Sequence, residues 1–356
     1  MKILHTADIH LTEHAAERWE ALDYIVEAAC AENVDVLAIS GDLFDHNVEA
    51  EKLRNKLRSY LSRGDFETII LPGNHDFNAY SSGFYFGDKV RVIRNPFEPV
   101  SLGELVIWGL PFKAISGDRL VRDLHHLGEK MDPDHFNILL YHGELLDAFF
   151  SRNDLGDEGN NRYMPVKLAY FNKLPVKYVL AGHFHSRYAG WNLPGGGLFI
   201  YPGSPVAVTR RESGRRVVNL IDGNKAPVEL GLDSMHFQEL LLELDPFSQK
   251  NPLESLADEI ADVHQAARVI LKISGFFNSA EIGLTESDLS VEIREKLSGL
   301  NVDEIVEDYI DISRILEDDL YLRFKERMEK SDNPAEIKEQ ALRMVIDAFR
   351  VVKSCS

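Results

Sequence analysis

Five short runs in this 356-residue chain carry metal-ligating residue types. They are Thr6-Ala7-Asp8-Ile9-His10, Ser40-Gly41-Asp42-Leu43-Phe44-Asp45, Leu71-Pro72-Gly73-Asn74-His75-Asp76, Tyr141-His142-Gly143 and Ala181-Gly182-His183-Phe184-His185. Alternate residues of an extended segment point the same way, so Asp8 and His10 can converge on one ion, and His183 and His185 on the site between them. Asp42 follows a glycine that allows a tight turn, and its two carboxylate oxygens can bridge two ions. Asn74 offers a neutral amide oxygen. Imidazole, carboxylate and amide donors together suit manganese, iron or zinc better than an all-oxygen magnesium site. Two such ions about 3.5–4 Å apart clamp the attacking and leaving oxygens of a displacement at phosphorus and lower the pKa of a bridging water. His75, beside Asn74, is placed to protonate the leaving alkoxide or to stabilise its charge. A single Asp-x-His is a weak signal. All five runs in this order, each after an apolar strand, form a specific one.

The elements that must position these residues follow from periodicity. Strand-like runs at Ile3–Thr6, Val34–Ile39, Thr68–Leu71, Asn137–Tyr141 and Lys177–Leu180 lead into the motifs, and further strands are expected at Val90–Ile93 and Leu105–Trp108. Between them, Ala15–Ala31 and Glu49–Leu61 have apolar residues at helical spacing. Short β-branched runs separated by helices predict an α/β fold with a central sheet covered on both faces. Ligands in open α/β sheets gather at the carboxyl ends of strands, where the motifs fall. Gly197–Leu232 reads as short strands broken by Gly and Pro. From about Asp233 the pattern changes: strand Phe237–Leu244, helix Leu253–Ala266, strand Val269–Ile273, helix Asp288–Leu297 and strand Val302–Ile312 predict a smaller α/β domain. Two amphipathic helices, Ile315–Glu329 and Ala335–Val352, form the tail. The expected division is 1–233, 234–312 and 313–356.

Composition narrows the partners. The length exceeds one ordinary core. No stretch reaches the roughly 18 apolar residues of a membrane-spanning helix. Met1 leads directly into a strand without a signal peptide, so a cytoplasmic location is expected. Cys30 and Cys355 read as passive thiols in a reducing compartment. The net charge of −19 counts against a nucleic-acid partner, because binders usually carry a basic face. Carboxylates awaiting divalent metals account for part of that charge. Arg210, Arg211, Arg215 and Arg216 form one basic cluster, readable as a phosphate-contact patch or a solvated hairpin. Outside the motifs the histidines read as structural, with His46 held open because it follows the second run.

The motifs resemble those of the calcineurin-like metallophosphoesterase superfamily, and within it the SbcD family of DNA repair nucleases. Lys2-Ile3-Leu4-His5-Thr6-Ala7-Asp8-Ile9-His10-Leu11, Gly41-Asp42-Leu43-Phe44-Asp45 and Tyr201-Pro202-Gly203-Ser204-Pro205 carry the likeness, over about residues 1–232. The resemblance implies a β-sheet sandwich flanked by helices, a small capping domain that helps read DNA shape, and a helical tail. It implies one metal on Asp8, His10, Asp42 and His185, a second on Asp42, Asn74, His142 and His183, and His75 acting on the phosphate. It further implies manganese-dependent cleavage of DNA, as a 3'-5' exonuclease or single-strand endonuclease, in double-strand-break repair. An SbcC-type coiled-coil ATPase would dock on the tail helices, and a homodimer would form through helices after the second and third motifs. Here Leu53, Leu57, Tyr60 and Leu61 offer that face, or simply pack in the core. Thr12 replaces a common glycine, and Asp45 stands where some relatives carry histidine. Two other readings compete: a two-metal phosphatase or cyclic-nucleotide phosphodiesterase with a small substrate, and a non-catalytic scaffold, which would have lost ligands that this chain retains.

Overall fold

A computed structural model describes residues 1–354 except 48, 81–82, 149–162 and 249; Cys355 lies outside the described residues. The chain separates into two compact units, Met1–Phe237 and Gln238–Ser356. The first unit begins β1 (Lys2–Thr6), α1 (Ala16–Ala31), β2 (Val36–Ser40), α2 (Glu49–Leu61), β3 (Glu67–Leu71) and β4 (Val90–Val92). It continues with β5 (Val100–Leu102), β6 (Leu105–Leu110), α3 (Asp118–Gly128), β7 (Phe136–His142) and β8 (Tyr178–Gly182). Strands β9 (Ala189–Asn192), β10 (Leu198–Tyr201), β11 (Val217–Asp222) and β12 (Val228–Gly231) complete it.

These strands form two six-stranded sheets, ordered β12-β11-β1-β2-β3-β4 and β5-β6-β7-β8-β10-β9. Their inner strands are parallel and buried on both faces, so they read as continuous apolar runs rather than alternating ones. In β2, Val36 and Ala38 join the cluster between the sheets with Ile107, Ile138, Leu140 and Leu180. Leu37 and Ile39 face the opposite cluster, with Trp19, Leu22, Ile25 and Val26 of α1 and Leu53 and Leu57 of α2. Helix α3 covers the second sheet through Leu120, Leu124 and Leu127. The central sheet read from periodicity is thus one of a pair, in keeping with the sheet sandwich that the resemblance implies, and each sheet is covered on both faces. Leu53, Leu57 and Leu61 are buried in this core and Tyr60 packs against Trp19, so the face offered for a homodimer is spent on the chain itself.

The second unit continues β13 (His236–Leu244), then α4 (Pro252–Ala261), β14 (Ala267–Phe277), α5 (Ser279–Ile282), α6 (Glu286–Lys296) and β15 (Val302–Asp311). The strands pair in the order β13-β14-β15 around Leu240, Leu256, Leu271 and Ile293. Helix α6 starts earlier than its apolar pattern because Thr285 and Asp288 form a reciprocal capping box. Helix α4 stops at Ala261, short of the expected Ala266, although Val263 still packs in the core. The tail expected as Ile315–Glu329 is two helices, α7 (Ser313–Leu316) and α8 (Asp319–Glu329). Asp318 divides them by accepting the Leu320 N–H as the cap of α8. In α9 (Ala335–Ser354), Ile346 is buried and Leu342, Val345 and Phe349 pack with it against Ile312, Ile315 and Tyr321. That stripe serves the unit's own core. Leu320, Leu322, Ile337 and Met344 remain exposed.

Candidate metal centre

All five motif runs lie at the carboxyl ends of parallel strands: β1, β2 and β3 of one sheet, β7 and β8 of the other. The backbone there departs from the extended form expected from the sequence. Asp8 (φ 56°), His10 (φ 53°), Asp42 (φ 51°) and His183 (φ 97°) all have positive φ. L-residues rarely adopt this conformation, at about 1–3 kcal/mol each, and such strain gathers at functional sites. Asn33 and Met164 are the other non-glycine examples among the described residues. Convergence is thus achieved by turning rather than by strand alternation. The first two loops are bound together by Asp8 N–H to Gly41 O (3.1 Å), His10 N–H to Asp42 O (3.0 Å) and Leu11 N–H to Leu43 O (2.8 Å). Gly73 permits close approach from the third loop, since a Cβ there would stand 2.2 Å from Asp42 Oδ1. Gly182 does the same from β8, where a Cβ would stand 2.1 Å from Ser40 O.

The donor atoms meet in a buried pit. Asp8, Asp42 and His142 form one group within 4.8 Å, and Asp8, His10 and His185 another. His142 Nε2 lies 2.9 Å from Asn74 Oδ1 and 3.1 Å from Asp42 Oδ2. His10 Nε2 faces His185 Nε2 at 3.3 Å, and His185 Nε2 lies 3.7 Å from Asp8 Oδ1. His183 is held by its backbone, whose N–H donates to both Asp8 oxygens (3.0 and 2.9 Å), while its ring stands 5.5 Å from that of His142. The two histidines of the fifth run therefore turn to different neighbours.

These spacings fit metal ions. Ligands about 2.1 Å from one ion stand about 3.0 Å apart at right angles. The protons support the same conclusion. His142 Nδ1 lies 2.8 Å from Ser40 O, a pure acceptor, so the ring proton sits on Nδ1. Its Nε2 lone pair then faces two oxygen acceptors. Asp42 Oδ2 is buried and has no aligned hydrogen-bond donor. Such a cluster of lone pairs needs a cation or an added proton. Without an ion, burial pulls the His142 pKa down, but Asp42 and Asp8 outweigh it and raise it to about 10. Burial raises the Asp8 carboxyl, whereas His142 and His10 hold Asp42 below the usual carboxylate range despite its own desolvation.

Three carboxylates outside the predicted ligand set hold the pit in place. Asp45 Oδ1 lies 3.2 Å from His10 Nδ1, and Glu212 Oε1 lies 3.4 Å from His185 Nδ1. Both contacts are poorly aligned for a hydrogen bond, but each places an anion behind an imidazole and favours its proton on Nδ1, turning Nε2 forward. Burial pushes both carboxyls up. The histidines and neighbouring donors outweigh it and leave each at about 2. Asp76 is fully buried: Oδ2 accepts from Leu43 N–H (3.0 Å), Phe44 N–H (3.2 Å) and Tyr80 OH (2.6 Å), and Oδ1 accepts from Gly73 N–H (2.7 Å). It ties the second loop to the third. Asp45 and Asp76 end their motif runs, which was their only signal. Glu212 was hidden among arginines. Of that cluster, Arg216 is neither a phosphate patch nor solvated: it is buried, and its guanidinium donates to the carbonyls of Ser204, Ser186, His185 and Glu212. Arg215 pairs with Asp233, and Arg210 and Arg211 are exposed.

His75 stands at the rim. Its N–H donates to Asp42 Oδ1 (2.8 Å), its Nδ1 lies 2.9 Å from Asp45 O, and its ring is 4.7 Å edge-on from His10. His46 stacks on the outer side of His75 at 6.3 Å.

Residues 1–187 match the family described as calcineurin-like phosphoesterase. The chain belongs to this family. Among relatives, it is 24% identical over 232 residues to the DNA double-strand break repair protein Mre11 of Sulfurisphaera tokodaii, covering 59% of this chain and 55% of that protein. It is 34% identical over 85 residues to the SbcD component of nuclease SbcCD of Escherichia coli, 21% of each chain. The match thus spans about half of the first relative and a fifth of the second. Among solved structures, a dimetal phosphatase from Danio rerio aligns with a TM-score of 0.45 and 11% identity, over 65% of this chain and 96% of that one. Family membership makes this phosphoesterase a metal-dependent hydrolase, and the buried donor pit lies largely within the matched residues.

Proposed function

We propose that this phosphoesterase is a manganese-dependent DNA nuclease of double-strand-break repair, cutting phosphodiesters with two divalent ions. The observation that carries the two-ion reading is the convergence of donor atoms about 3 Å apart with their lone pairs inward. Asp8, His10 and His185 would hold one ion and Asn74, His142 and His183 the other, with Asp42 shared. Ions held there would lower the pKa of a bound water and stabilise charge on the phosphoryl oxygens. Asp45 and Glu212 keep the imidazoles of His10 and His185 aimed inward. His75 carries a proton on Nδ1 toward Asp45 O, which turns Nε2 to the reacting phosphate, where a second proton can pass to the leaving alkoxide. The names of the two relatives, a DNA double-strand break repair protein and a nuclease subunit, support DNA as the substrate. The exposed Leu320, Leu322, Ile337 and Met344 of the tail are the surface for a coiled-coil ATPase partner. No helix among the described residues is long and apolar enough to cross a membrane, and we place the protein in the cytoplasm.

The test compares single- and double-stranded DNA with a small phosphodiester under manganese, for wild type and His75→Ala. DNA cleavage that falls about 10²–10⁴-fold in the variant is expected. Small-ester turnover without DNA cleavage would instead identify a phosphatase or small-substrate phosphodiesterase. Equal activity in His75→Ala would remove the role given to His75.

A further inference from the structure

A ladder of aromatic rings runs outward from the metal centre. Tyr163 packs on His183 with centroids 5.0 Å apart, Phe112 on Tyr163 at 5.9 Å, and Phe77 on Phe112 at 5.7 Å. The inner two rings are half-buried, whereas Phe77 leaves 45% of its surface in water. Each ring sits on backbone that the site already fixes. Phe77 directly follows Asp76, the carboxylate that joins the second and third loops. Phe112 N–H donates to Pro72 O (3.1 Å) in the third loop, and Tyr163 O accepts from Glu144 N–H (2.9 Å) just after His142. A large apolar ring held rigidly in water is unfavourable for folding alone. As a partner for a flat apolar face it is already ordered, so little entropy is lost on binding.

We infer that Phe77, backed by Phe112, is a stacking platform for a nucleobase of the strand whose phosphodiester occupies the metal centre. This rests on the nuclease reading of that centre and adds how the strand is held. A net charge of −19 works against long-range attraction to a phosphate backbone. Base stacking on an aromatic ring is indifferent to that charge and to sequence, because every base has a π face. An unpaired base is the occupant that fits, since a base within a duplex has both faces covered.

The experiment uses the 356-residue chain with calcium in place of manganese, and the strands are checked to be intact after binding. Two labelled single-stranded DNA oligonucleotides of equal length are compared by fluorescence anisotropy, one with all its bases and one with an abasic stretch at the bound position. The wild type is expected to bind the base-bearing strand about tenfold more tightly. Phe77→Ala should reduce that ratio to near one, and Phe77→Tyr should keep it. A wild type that binds both strands equally, or a Phe77→Ala protein that keeps the tenfold ratio, overturns the stacking platform and leaves the nuclease reading intact. A wild type that cleaves neither strand under manganese overturns the nuclease reading, and the platform with it.

Discussion

In the first unit the buried side chains include Asp8, His10, Asp42, Asp76, His142, His185, Glu212 and Arg216. In the second, the described core is Leu240, Leu256, Leu271, Ile273, Leu289 and Ile293 with their apolar neighbours, and among the described residues no polar one other than tyrosine is buried. Among the described residues, the non-glycine ones with positive φ fall on the same side of the division, all in the first unit. Buried charge and strained backbone both destabilise, so a fold keeps them together only where something else compensates. The second unit shows the default, in which folding is hydrophobic packing. The first departs from it at the ends of five strands, and there the chemistry lies.

The contrast can be broken by substitution. The largest effect is expected from Asp42→Asn, which keeps the shape but removes the charge shared by the two proposed ion sites. Turnover of a phosphodiester should fall about 10³-fold or more, measured as kcat under saturating manganese. In the second unit, Leu271→Ala leaves a cavity in an apolar core and should lower stability by about 2–5 kcal/mol in chemical denaturation. The manganese content of the folded protein should not change. A loss of metal in Leu271→Ala would show that the two cores are not independent. Next is Glu212→Gln, which removes the anion behind His185. Metal affinity should fall about 10–100-fold by calorimetry, and the metal-free protein should also lose stability, because the Glu212 carboxylate faces the buried Arg216 guanidinium. A further effect, confined to acid pH, concerns His5. It is buried, donates from Nε2 to Ser40 Oγ at 3.0 Å, and burial lowers its pKa from 6.5 to about 3. Between those values the unfolded chain takes up a proton that the folded chain refuses. Stability is therefore whole above pH 6.5 and is lost as pH falls toward 3, at about 1.4 kcal/mol per pH unit. His5→Gln should flatten that part of the pH–stability curve, and an unchanged slope would assign the acid sensitivity to other groups.

What the sequence could show follows the same division. Strands buried on both faces announce themselves as apolar runs, so β2, β3, β7 and β8 were legible to within about two residues, as were α1 and α2. The short edge strand β5 and helix α3 were not recognised, although Leu120, Leu124 and Leu127 repeat at helical spacing. The break at Asp318 was masked by apolar residues that continue the pattern across it. In the site, residue types and spacing mark the donors but not the local turn of the backbone. Alternation along a strand predicted how Asp8 and His10 would point, yet both adopt left-handed conformations that no side-chain pattern records. Glu212 was invisible because its partner His185 is distant in sequence and its neighbours are arginines. Long-range pairing of buried charges leaves no periodic trace.

A pit built from these donors should hold two ions. Isothermal calorimetry of manganese into the chelator-stripped 356-residue chain, with the metal content of the complex counted after gel filtration, tests this. Two ions per chain are expected, with Asp42→Asn holding fewer. One ion or none in the wild type, with the protein folded, would contradict the two-metal centre.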